Sequence, residues 1–238
     1  MTSPSQLGFD DLLTSADEQN RTRQVERETG HLPSTITEAL PFYRGLIEGH
    51  HAAMLAADET EAMRLKEEAH MLAKRLNGGQ PGILAGEDAP GCVLEREAAA
   101  PVGVIPLWGQ RGDFCVTLAS MRARIEMDGL FGLCSFTVWP GMQVHAVDYD
   151  RPFLSGTGFR RFLGITAELV PNLTPDAFAT GVIASYVASH LKNRLVPIGG
   201  EHRRPCRPAG AVSAGRRCGG LMPLPATTPC GEPVRLEE

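Results

Sequence analysis

The sequence predicts an α+β fold: an N-terminal helical hairpin, an antiparallel β-meander of about four strands, a closing C-terminal helix and a disordered tail. Three observations carry this expectation. Apolar residues recur at spacings of three and four from Ile36 to Leu76, residues 114–127 alternate with a period of two, and the composition breaks after Gly199. The corresponding division is a partly helical arm over 1–33, the helical hairpin over 34–79, an α+β domain over 80–198 and the tail over 199–238.

The arm begins with an apolar cluster, Leu7, Phe9, Leu12 and Leu13, and continues into helix formers with almost no apolar stripe. A helix polar nearly all round buries little surface, so it needs a partner or forms in part. The hairpin is better specified. Ser34 or Thr35 can cap a helix whose buried stripe is Ile36, Leu40, Tyr43, Ile47, His50 and Met54, with Pro41 marking a possible start of the regular part. A second stripe runs through Ala62, Leu65, Ala69, Leu72 and Leu76 and stops at Asn77-Gly78-Gly79. Two E-x-x-H pairs, Glu48/His51 and Glu67/His70, carry donor types that hold metal ions in some helical bundles. The second stripe turns Glu67 and His70 away from the interface, so no metal is expected, and a second copy packed on the hairpin would be needed to complete such a site.

Residues 80–112 are dense in glycine, proline and alanine and read as connecting chain. Two strands follow, 114–118 and 121–127, joined by a turn at Ala119-Ser120. The second strand has a solvent row of Arg122, Arg124, Glu126 and Asp128. A third strand is expected over 133–139 and a fourth over 142–147. Cys115 and Cys134 fall inside these runs and read as small buried thiols in a reducing compartment. Pro175 starts the closing helix, with Phe178, Val182, Tyr186, Val187, His190, Leu191 and Leu195 at helical spacing. The last segment is rich in proline, glycine, arginine and cysteine. It reads as a disordered tail or as the product of an altered reading frame, and Cys206, Cys218 and Cys230 with His202 fit no zinc spacing.

A formal net charge of −5 over 238 residues gives no overall attraction to nucleic acid or to an anionic surface. The first residues lack a basic start followed by an apolar run, and no stretch reaches the length of a membrane span, so a cytoplasmic protein with no membrane contact is expected.

The candidate binding residues are His145, Asp148, Asp150, Ser155, Thr157, Arg160 and Arg161. Imidazole and carboxylate suit a divalent ion or acid-base work, while glycines, hydroxyls and guanidinium groups suit an anion. Ser155 lacks the G-x-S-x-G elbow of a nucleophile, and the loop lacks the spacing of a phosphate-binding P-loop. The expected function is that of an accessory or binding protein, contacting a protein or nucleic-acid partner through the sheet and the 145–161 loop. No cofactor is expected, and a homodimer through the hairpin is compatible with the stripes. The alternative is an enzyme acting on a small anionic or phosphorylated substrate at His145, Asp148 and Arg160.

Overall fold

The structure, a computed structural model, describes residues 4–81, 83, 86–119, 121–132 and 137–202. Cys134 and the tail beyond His202 lie outside the described residues, as does most of the expected third strand. Helices α1 (Pro4–Thr29), α2 (Ile36–Ala56), α3 (Glu59–Leu76) and α4 (Pro90–Glu97) precede strands β1 (Gly112–Leu118), β2 (Met121–Met127), β3 (Met142–Ala146) and β4 (Phe159–Phe162). Helix α5 (Pro175–Ser189) follows the sheet. The architecture is α+β, as the periodicities predict.

Helix α1 is a full-length helix. It leans on α3 through polar contacts, with Arg75 pairing with Glu26 and Lys74 with Glu28 at 3.1 Å. Helices α2 and α3 form the hairpin. Thr35 caps α2 by accepting from the Glu38 N–H, and Asp58 caps α3 by accepting from the Glu61 N–H at 3.0 Å. The connection turns through Ala57, held at φ 57°. Pro41 does not start α2: it sits inside the helix, six residues beyond the Thr35 cap. Helix α4 corrects the reading of 80–112 as plain connecting chain. Pro90 occupies a first-turn position, where its missing N–H costs nothing.

The sheet order is β1-β2-β3-β4, every pair antiparallel. Leu118 pairs with Met121 across the expected two-residue turn. The strand expected over 142–147 is the third of the sheet, because 137–139 form a bend, and the fourth comes from a segment expected to be loop. Cys115 is a further correction. It lies on the exposed face of β1 and is disulfide-bonded, a bond that reducing compartments disfavour.

Two cores result. One face of the sheet, carrying Phe114, Val116, Ala123, Ile125, Met142 and Val144, packs with Trp108, Trp139 and the α5 residues Phe178, Ala179 and Ile183. The other core lies between α2, α3 and α4 and includes Tyr43, Leu72, Leu94 and Leu130. Helix α5 ends earlier than its apolar spacing suggests, since Lys192 and Asn193 take φ values of 49° and 59°. Among the described residues, no helix is long and apolar enough to cross a membrane.

Candidate binding face

Period-two alternation that turns one set of side chains into the core turns the other set onto the opposite face of the sheet. That outer face carries Asp113, Cys115 and Thr117 from β1, Arg122, Arg124 and Glu126 from β2, Gln143 and His145 from β3, and Phe159 and Arg161 from β4. Cross-strand pairing sets opposite charges side by side. Arg124 donates to Asp113 at 3.3 Å, and Arg122 holds Asp148 through two contacts, Nε to Oδ2 at 2.9 Å and Nη2 to Oδ1 at 2.5 Å. Arg111 lies 3.5 Å from Glu126 and 3.7 Å from Glu95, and Arg161 lies 3.8 Å from Asp128. His145 Nε2 stands 3.6 Å from Glu126, too long for a hydrogen bond.

The carboxylates divide by environment. The His145 ring beside Glu126, helped by Arg111 and Arg124, holds that carboxyl below its ordinary value against the effect of burial. The guanidinium of Arg122 does the same for Asp148. Burial pushes Asp128 and Glu95 the other way, and Arg161 and Arg111 respectively offset part of the rise.

The sequence-predicted residues are not gathered into one site. His145 is on the outer face, its ring 5.0 Å from that of Phe159. Asp148 begins the turn beyond β3 and reaches the same face through Arg122. Asp150 is exposed in that turn. Arg160 is paired with Val144, so it points to the opposite side of the sheet from His145. There its guanidinium lies 4.6 Å from the Tyr186 ring centroid. Arg161 returns to the outer face beside Asp128. Ser155 and Thr157 serve the backbone: the Ser155 hydroxyl donates to Phe159 O at 2.7 Å and accepts from the Phe159 N–H at 3.2 Å, and Thr157 Oγ1 lies 3.1 Å from it. They shape the loop as a latch.

Sequence reasoning placed His50 in a buried stripe but missed the polar group that it forms with His51 and Lys66 between the hairpin and the loop before β1. His50 is 3% exposed, its Nδ1 has no hydrogen-bond partner, and burial lowers its pKa to about 4. His51 Nδ1 accepts from the Trp108 N–H at 3.1 Å. Lys66, also buried, donates from Nζ to Thr137 O at 2.9 Å. The His70 ring meets Phe131 edge-on at 5.5 Å. The signal for this group was present as His50 and Lys66 on or beside the apolar stripes. Glu48 and Glu67 are exposed, and among the described residues no group of three or more His, Cys, Asp or Glu is arranged to hold a metal ion. A small cavity of about 190 Å³ lies away from the sheet face, lined in part by Arg44, Glu48, Glu97 and Gln110.

No family model matches the chain, and no solved structure matches it. It is similar to two Escherichia coli proteins that both bear the description Protein KlcB. One is 32% identical over 203 residues, which is 82% of this chain and 47% of the relative. The other is 37% identical over 119 residues, 50% of this chain and 24% of the relative. The chain therefore spans about half, or less, of the length of the curated relatives it matches.

Proposed function

We propose that this chain is a binding protein whose outer sheet face, with the 145–161 loop beside it, contacts a protein partner. The observation that carries this reading is the state of that face. Among the described residues α5 packs on the opposite face of the sheet, while the charges of the outer face are ordered into ion pairs of Arg124 with Asp113, Arg122 with Asp148 and Arg161 with Asp128. A face of this kind offers fixed donors and acceptors with little net charge, which favours a specific polar contact with another protein. Nucleic acid is the less favoured partner, because Arg111, Arg122 and Arg124 each already face a carboxylate that a phosphate would have to displace. The enzyme alternative is weakened by Arg160, which is directed away from His145.

The test is affinity capture from cell extract with the wild type, with a Thr117→Glu/Gln143→Glu double variant of the face, and with Glu59→Arg as a remote control. A protein retained by the wild type and the control but lost by the face variant is the expected result. Retention by all three, or retention of nucleic acid alone with a steep loss between low and moderate salt, overturns the proposal.

A further inference from the structure

Strand β4 is an edge strand, and its outward backbone groups are only partly used. The Ala146 N–H donates to Gly158 O at 2.8 Å. In the antiparallel register, Gly158, Arg160 and Phe162 therefore turn their backbone groups toward β3, while Phe159 and Arg161 turn theirs outward. At Phe159 the outward N–H and carbonyl are both taken by the Ser155 hydroxyl. At Arg161, one step on, neither outward group has a partner among the described residues, and the exposed Leu163 follows.

The side chains around this edge have one chemistry. Arg160 is exposed on one side of the sheet, anchored over Tyr186, and Arg161 stands on the other, its side chain 35% exposed, its Nε buried without a partner and its Nη2 only 3.8 Å from Asp128. Phe159 and Leu163, 39% and 46% exposed, flank the two cations with apolar surface.

We infer that the edge of β4 is a docking strand for an extended acidic segment of the partner protein, added antiparallel or parallel at Arg161 and gripped by Arg160 and Arg161 from the two sides of the sheet. This inference rests on the proposed binding role and names the chemistry of the partner. Strand addition supplies affinity through backbone hydrogen bonds, while alternate side chains select the sequence. A second copy of the chain is the poorer occupant. Antiparallel pairing of two β4 strands centred on Arg160 or on Arg161 sets the central arginine opposite its own copy, and like charges directly opposite are destabilising.

The probe is a blocked, fluorescein-labelled heptapeptide, Val-Val-Glu-Glu-Glu-Val-Val, whose adjacent glutamates fall on both faces of an extended strand, titrated with the full chain and followed by anisotropy. Comparison peptides replace glutamate by lysine or carry N-methylated backbone amides. The expected result is saturable binding of the acidic peptide, at least tenfold weaker for the lysine and N-methylated peptides. Arg161→Pro should weaken it at least tenfold, since it removes both the outward N–H and the charge at a position that spares the β3 ladder. Arg160→Gln should weaken it several-fold.

If Arg161→Pro does not fold, the N-methylated peptide on the wild-type chain decides. No binding at millimolar peptide, or equal binding of the acidic and N-methylated peptides, overturns the inference. So does a dimer in sedimentation that Arg161→Pro abolishes, because the occupant is then a second copy. Thr117 lies on the far edge strand, whereas Gln143 pairs with Arg161, so the Thr117→Glu single variant serves as the face variant here and reports separately from the peptide. Loss of the captured protein in the face variant without peptide binding leaves the face proposal standing and removes this one.

Discussion

Gly109 holds φ at +80°, and a Cβ at that position would come within 2.7 Å of Leu130 Cδ2 and 2.9 Å of His50 Nδ1. The Leu130 N–H also donates to Gly109 O at 3.0 Å, so the backbone there is pinned between the hairpin and the loop after β2. A side chain pays twice at such a point. The left-handed conformation costs a residue with a Cβ ~1–2 kcal/mol, and forced overpacking adds ~1–3 kcal/mol. Gly109→Ala is therefore expected to lose about 3 kcal/mol of stability, seen as a lower urea midpoint at an unchanged slope; a loss below about 1 kcal/mol would mean that Leu130 and His50 yield freely. None of this was legible in the sequence, where Trp108-Gly109 stood in a run of glycines and prolines. The same residue scale explains why His145, Asp148 and Arg160 looked like a trio: they are near in sequence, but the register of β4 decides which side each one faces.

At the scale of elements, the hairpin of α2 and α3 turns on Ala57. Its backbone adopts the left-handed conformation that ends α2, with the Ala57 N–H donating to Met54 O at 3.2 Å and the Asp58 N–H to Ala53 O at 2.9 Å. Alanine is strained there by ~1–2 kcal/mol, and glycine relieves that strain while adding ~0.5–1 kcal/mol of unfolded-state entropy to be lost. Ala57→Gly is expected to stabilise the protein by about 0.5 kcal/mol. A thermal midpoint that falls instead would place the strain elsewhere in the connection.

Legibility followed the same physics. Strands β1 and β2 were readable because each buries one face only, and α2 and α3 because each carries one apolar stripe. Strand β4 was hidden because Phe-Arg-Arg-Phe does not alternate in polarity: an edge strand exposes Phe159 and can place Arg160 over an aromatic ring. Helix α4 was hidden because proline and glycine at a helix start resemble loop chain. The polar face itself was legible only in its β2 row, since Arg111, Asp113 and Glu95 reach it from other elements.

For the whole molecule, the seam between the two cores is where acid should act. His50 sits in that seam with Lys66 and His51 near it, and Trp108 joins the seam to the aromatic group of Trp139 and Phe178 through ring contacts at 5.6 Å and 5.4 Å. Burial first, then the Lys66 and His51 charges, lower the His50 pKa from 6.5 to about 4. The native state therefore stays neutral at this ring, while the unfolded chain takes up a proton as pH falls below 6.5. The stability His50 contributes is complete above that value and is lost as pH falls toward 4. One such proton amounts to about 2 kcal/mol between pH 7.5 and 5. His51 and His70, lowered by burial, act in the same direction. Glu95 and Asp128, raised by burial, act oppositely, and their stabilising protonation comes in as pH falls through their raised values. Urea unfolding at pH 7.5, 6.5, 5.5 and 5.0 should show the wild type losing about 2 kcal/mol more than His50→Gln over that range. Parallel losses in the two proteins would mean that His50 opens to water and takes up its proton before the molecule unfolds.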